Sequence, residues 1–296
     1  LTSQNIKPKT KITIMKKVLV VLFAMAGLIA EAQVQSPSPS PAAVVSTVVG
    51  LTDVKVEYSR PKAKGRKIFG AGTEFLTPYS QMWRTAANNG SRVTFSDDVK
   101  FGGMDVPKGT YLLLTIPGAT EWTVILYKDV AMGGDVSAYD KAKDQARVTA
   151  KVDKLTEKVE TFTIEIADLA ENSKSANLQI MWENTSVKVP ITVDFDAKVM
   201  KSIEASTKVN PGNLYQAASY YLENGKDLKQ AMEWITIASA SNQDAYWMWL
   251  TKAKIQKALG DKKGAMESSM ASKAAAEKAK NADYVKMNDD FMKGLK

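Results

Sequence analysis

The stretch YSRPKAKGRKIFG, from Tyr58 to Gly70, sets five cations, Arg60, Lys62, Lys64, Arg66 and Lys67, around a proline and two glycines. Further along the same connection stand Trp83, Arg84 and Asn88. Guanidinium groups fork onto carboxylate or phosphate through paired N–H donors, and an indole face can stack on a sugar ring. If Arg60, Arg66, Trp83, Arg84 and Asn88 converge, they make a binding site for an anionic or carbohydrate ligand. The structural alternative has the lysines solvated, Trp83 in the core, and the arginines tying a long connection to a sheet. Exposed cations seldom contribute much, which favours the second expectation. A connection of about thirty residues, Ser59 to Gly90, favours the first, because long ordered connections tend to be functional.

Other chemistries are restricted by what the chain lacks. It contains no cysteine and no histidine. Disulfides, thiolate nucleophiles, the usual zinc ligands and the side chain best suited to proton transfer near neutral pH are all absent. Asp97-Asp98 reads as a hairpin tip, and Asp135, Asp140 and Asp144 have neither the spacing nor the terminal glutamate of a calcium loop. Glu57, Glu74, Asp98 and Glu121 show no spacing that selects a catalytic pair for glycoside hydrolysis. Gly102-Gly103 and Gly133-Gly134 read as turns rather than phosphate loops. No metal site, cofactor or catalytic residue is therefore expected.

The start of the chain carries a different kind of signal. Met15 is followed by Lys16 and Lys17, an apolar run from Val18 to Ala30, and a small-x-small ending at Ala30-Glu31-Ala32. This is the layout of a secretory signal peptide, with Leu1 to Ile14 upstream of the true start and Gln33 first in the mature chain. The run is shorter than the roughly 20 apolar residues that cross a bilayer, so no transmembrane anchor is expected in the mature protein. Removing the five lysines and one glutamate of residues 1–32 lowers the formal charge from +8 to +4. Much of the basicity is thus targeting signal, and a nucleic-acid partner is not expected of a periplasmic or secreted protein.

These residues must be positioned by two kinds of element. Residues 33–43, which include QSPSPSPAA, read as a Pro/Ser tether. Over residues 44–194 the apolar period is two: Val54, Val56 and Tyr58 alternate with polar neighbours, as do Phe162, Ile164 and Ile166. TYLLLTIPG and EWTVILYK are apolar on both parities and flank a proline-glycine turn, as in a central hairpin. About eight or nine short strands and their turn signals predict an antiparallel β-sandwich. Residues 195–296 change to a helical period. Tyr215, Ser219, Leu222, Ala231, Ile235 and Ala238 recur thirty-four positions later as Trp249, Ala253, Gln256, Ala265, Ser269 and Ser272. That period resembles a degenerate tetratricopeptide helix pair, and helices so few should lean on the sandwich or on one another.

The motifs Tyr58-Ser59-Arg60-Pro61, Gly65-Arg66, Ile68-Phe69-Gly70, Trp83-Arg84, Ala87-Asn88 and Gly109-Thr110-Tyr111 together resemble the domain-of-unknown-function family 2911, exported proteins of Bacteroidetes-type bacteria. The resemblance covers about Ser36 to Val193 and implies export and a β-rich domain, but no activity. Members commonly have glycine and glutamate where this chain has Ala86 and Asn89, which puts a carboxylate-dependent role there in doubt. The expected function is a non-enzymatic envelope protein: a binding or scaffold module with a helical tail that engages a protein partner. The alternative is a carboxylate-dependent, carbohydrate-active hydrolase, recognisable by two carboxylates about 5–9 Å apart in an aromatic-walled cleft.

Overall fold

The computed structural model describes residues 36–206 and 210–295, so the segment expected to be a signal peptide, with its expected cleavage site, lies outside the described residues. Strands β1 (Ala42–Val49) and β2 (Thr52–Ser59) form a hairpin about Gly50-Leu51. Then follow β3 (Phe69–Gly70), β4 (Thr77–Pro78), β5 (Ser91–Phe95), β6 (Val99–Phe101), β7 (Met104–Val106), β8 (Gly109–Ile116) and β9 (Glu121–Tyr127). Two much longer strands complete the β region, β10 (Asp144–Ala167) and β11 (Ser175–Val193). Nine strands make one antiparallel sheet in the order β1-β2-β5-β8-β9-β10-β11-β6-β7, while β3 and β4 form a separate short parallel pair.

The length of β10 departs from the short strands expected, and the reason is in its pairing. Its first part, through Lys151, pairs with β9, and the rest, from Val152, pairs with β11. Register shifts fall between Lys154 and Val159 and again between Val159 and Thr163. A bulged strand bends and twists, so one strand can serve two stretches of sheet. Tyr58 of β2 donates its hydroxyl to the Ile164 carbonyl of β10 at 3.1 Å, across the interior. Val54, Val56, Val93, Phe95, Leu113, Val124, Leu126, Phe162, Ile164, Ile180 and Trp182 share one core there.

The double-parity apolar strands have a second core on their other face. Leu112, Leu114, Ile125 and Tyr127 are buried beneath Met132, Val136 and Tyr139 of the connection between β9 and β10. That connection contains three single 3₁₀ turns, whose N-terminal Asp129, Asp135 and Asp140 each accept a hydrogen bond from the backbone two residues on. The Asp135 turn also forms part of one wall of a cleft.

Among the described residues, six helices follow: α1 (Asp196–Ser206), α2 (Pro211–Glu223), α3 (Leu228–Ser241), α4 (Tyr246–Ala258), α5 (Lys262–Lys278) and α6 (Ala282–Lys293). Asp227 and Asp261, thirty-four apart, cap α3 and α5 through their carboxylates. The N-caps of α2 and α4, Asn210 and Ala245, are thirty-five apart. The turn before α3, residues 224–227, is one residue longer than residues 259–261 before α5. The sequence spacing is therefore corrected in the first helix of each pair. Ala218, not Ser219, matches Ala253, and both alanines are fully buried.

Candidate functional site

The five candidate residues do not meet. Arg60, at the end of β2, donates through Nη2 to the Thr163 hydroxyl at 3.0 Å and through Nε to the Phe162 carbonyl at 3.4 Å. It thereby fastens β2 to β10. Arg66 turns back on its own loop, donating to the carbonyls of Ala63 at 3.0 Å and Lys62 at 2.6 Å. These guanidinium groups brace backbone, and their forks are spent on protein acceptors.

The neighbouring lysines belong to the same ordered loop. Lys62 forms a bridge with Thr161, the Lys64 N–H donates to the Glu160 carboxylate at 2.7 Å, and Lys67 sits over the Phe75 ring. Ala63 and Ile68, between the cations, are fully buried and anchor the loop. Trp83 is half-buried and packs against the core. It stacks on Trp182 with ring centres 6.1 Å apart and meets Phe69, Trp122 and Phe162 edge-on. Its backbone pairs with Thr115 in both directions, at 2.7 and 2.9 Å. These aromatic neighbours occupy much of the indole and leave only part of it to a ligand.

Arg84 and Asn88 do come together. They line one open cleft of about 680 Å³ with Asn89, Arg92, Met132, Gly133, Gly134 and Asp135. One wall is the segment after Trp83, where Thr85, Ala86, Asn88 and Gly90 all have positive φ, between 51° and 96°. Such a chain coils tightly and is costly for residues with a Cβ, so surrounding contacts must hold it. The Thr85 hydroxyl meets that of Thr115 at 3.0 Å, and the Ser91 hydroxyl donates to the Thr85 carbonyl at 2.5 Å, both buried. Asn88 donates to the Ser59 hydroxyl at 3.0 Å and to the Ser40 carbonyl at 3.3 Å, tying the cleft to the segment that enters β1.

The opposite wall is the Gly133-Gly134 turn. A Cβ on Gly134 would lie 2.2 Å from the Asn88 carbonyl oxygen, so the two walls approach backbone to backbone. Arg84 reaches across to donate to the Gly134 carbonyl at 3.2 Å. That is the one side-chain hydrogen bond of Arg84 among the described residues, and it leaves most of the guanidinium donors without a protein acceptor. Arg92, on the outward parity of β5, adds a second guanidinium, and neither arginine has an ion-pair partner among the described residues. Asp135 is the one lining carboxylate. Hydrogen bonds from the Ser137 hydroxyl and then the Ser137 N–H hold it below the usual carboxylate range. The cleft is thus cationic and polar, with no aromatic wall.

Sequence reasoning missed Arg92 and took the paired glycines only as a turn. The signal for Arg92 was its parity, since Ser91, Val93 and Phe95 are buried and Arg92 must point the other way. A smaller hollow of about 330 Å³ between β6, β7 and β11 gathers Asp98, Asp105 and Asp194. Each is locally engaged: Asp98 accepts from the Lys108 N–H at 2.8 Å, Asp105 pairs with Lys100, and Asp194 accepts from the Asp196 N–H at 3.0 Å. Among the described residues no cluster of three acidic side chains has the arrangement of a metal site.

Comparison with known proteins gives a family. Residues 40–191 match the model of a protein family of unknown function, DUF2911, and the chain belongs to that family. No curated protein matches it. A solution structure of a protein from Bordetella parapertussis is similar at 18% identity over 35% of this chain and 89% of that one, with a TM-score of 0.30, too slight a likeness to bear on the fold.

Proposed function

We propose that this chain is an exported, non-catalytic binding module that holds a small anion, such as a sugar acid or a phosphate, in the cleft between Arg84, Arg92 and Asn88. The observation that carries the reading is the pair of guanidinium groups, Arg84 and Arg92, lining one cleft with no carboxylate partner of their own among the described residues. Two planar forks over amide side chains suit a planar or tetrahedral oxyanion. A hydrolase of the retaining or inverting kind needs two carboxylates at the bond it cleaves, and the cleft lining offers Asp135 alone.

In this reading the nine strands act as a two-layered sandwich that fixes the cleft, and the helices are tetratricopeptide-like hairpins that engage a protein partner. The turn offsets and the buried small residues Ala218, Ala231, Ala253 and Ala265 support that likeness. Export to the periplasm or beyond is supported by residues 15–32, and no described helix is long and apolar enough to cross a membrane. Mass spectrometry of native material should find an N-terminus near Gln33; an intact Met15 would sink the export reading.

The binding test is calorimetric titration of the full chain with glucuronate, citrate and inorganic phosphate, beside Arg84→Lys and Arg92→Lys. Lysine keeps the charge and loses the fork, so each variant should bind at least about tenfold more weakly. Wild-type protein that takes up none of these anions, or variants that bind as well as wild type, would overturn the reading.

A further inference from the structure

β1 is an end strand of the nine-stranded sheet, with β2 as its ladder neighbour. In an antiparallel ladder, hydrogen-bonded and non-bonded pairs alternate. The Arg60 N–H donates to the Pro41 carbonyl at 2.8 Å, so 41 and 60 are a bonded pair; stepping by two, so are Ala43 with Tyr58, Val45 with Val56, and Thr47 with Val54. The far side of β2 agrees. The Asp53 carbonyl accepts from the Ser96 N–H and the Asp53 N–H donates to the Ser96 hydroxyl, both away from β1. Ala42, Val44, Ser46 and Val48 therefore turn their N–H and C=O groups to the open edge, where no hydrogen bond from the described residues reaches them.

The same four residues carry exposed side chains, Val44 at 63% and Val48 at 54%. The strand reads AAVVSTVV, eight residues with no charge and no proline. Sheet edges are normally blunted by lysine, proline, bulges or brevity, because a long, flat, apolar edge invites another strand. The opposite edge follows that rule: β7 has three residues, and its Asp105 is paired with Lys100.

We infer that β1 pairs antiparallel with β1 of a second copy of this chain, about a two-fold axis through Val45. This register alone uses all four outward residues, setting Ala42 against the partner's Val48 and Val44 against the partner's Ser46, and the reverse. Each bonded pair exchanges two N–H···O bonds, about eight in all. The contact is isologous, as a closed dimer requires, and no like charges face each other across it. An eight-residue strand is about 26 Å long, so the edge buries on the order of a few hundred Å² per copy. That is below the roughly 800 Å² per partner of a stable complex, and the dimer is reversible and concentration-dependent.

Sedimentation velocity of the full chain from low to high micromolar concentration tests this. Wild type should pass from monomer towards dimer. Ser46→Pro removes an N–H that faces the open edge and no ladder bond to β2, so it should fold and remain monomeric. Should that variant not fold, Ser46→Lys places a charge on the edge and should weaken dimerisation at least about tenfold. A wild type monomeric throughout, including one that pairs only with added extended peptides, overturns the proposal. So does a folded Ser46→Pro or Ser46→Lys variant that dimerises as wild type does.

Discussion

Arg84 donates from Nη1 to the Gly134 carbonyl at 3.2 Å, and Gly134 lies so close under Asn88 that a Cβ there would stand 2.2 Å from the Asn88 carbonyl oxygen. The arginine and the glycine together hold the two walls of the cleft at one separation. Gly134→Ala must push the walls apart, because the obstacle is backbone and cannot rotate away. The expected cost is about 1–3 kcal/mol of stability, as for other overpacked sites, together with loss of anion binding. Thermal melting and titration on the same sample check it; a variant that melts and binds as wild type does would mean the walls are not rigidly spaced.

Arg60 offers the opposite case. Its bonds to Phe162 and Thr163 join β2 to β10, 102 and 103 residues away in sequence. Arg60→Ala leaves part-buried acceptors unpaired and should destabilise by about 1–3 kcal/mol. Its effect on anion binding should be small. A loss of binding with an unchanged melt would return Arg60 to the site.

The difference between these arginines was not legible in the sequence. Both stand in the long connection from Ser59 to Gly90, and both matched family motifs. What separates them is the path of β10, whose pairing with β11 shifts register twice before Phe162 and Thr163 reach the end of β2; nothing in the spacing of Thr161 to Glu165 announces it. The β region and its hairpins were legible because Val54, Val56 and Tyr58 repeat at a period of two. The apolar double parity of β8 and β9 was legible too, though its cause, the cover supplied by residues 129–143, was not. The backbone at Ala86 has φ 96°, a conformation that glycine adopts without strain, and the alanine itself gave no sign of it. The helical period was seen one residue out of register in α2 and α4, since a single extra turn residue shifts one helix and not the next.

The junction between strands and helices should respond to acid. α1 has no buried residue, and two carboxylates hold it: Asp97 accepts from Lys198, and Asp196 accepts from Lys226 and Tyr220. The Lys198 hydrogen bond first, then those of Ser96 and Thr52, lowers the Asp97 carboxyl below its ordinary value; the Lys226 bond first, then that of Tyr220, does the same for Asp196. A folded-state value below the unfolded one contributes stability that is present above the unfolded value and lost as pH falls through the folded one. Acidification below the ordinary aspartate range, about 3.9, should therefore release α1. Hydrogen exchange corrected for intrinsic rates should quicken in residues 196–206 while β10 and β11 stay protected. Equal protection of α1 at neutral and acid pH would show that packing, not these ion pairs, holds it.

Trp83 decides how the opening cluster is to be understood. A tryptophan that bound a sugar would present a face to solvent, and its removal would spare the fold. Here the ring lies among Trp182, Trp122, Phe69 and Phe162, and the Trp83 backbone bridges to Thr115 at the rim of the β8 strand. Truncating so large a packed side chain leaves a cavity that its aromatic neighbours can only partly refill. Trp83→Ala should cost about 3–5 kcal/mol, and Trp83→Phe distinctly less because most of the ring contact remains. The same cavity would loosen Arg84, the next residue, so anion binding by Trp83→Phe is the informative measurement: it should stay within about threefold of wild type if the indole only supports the cleft wall. A Trp83→Ala protein with the wild-type melting temperature would instead place Trp83 on the binding surface, and the structural assignment of the ring would fall.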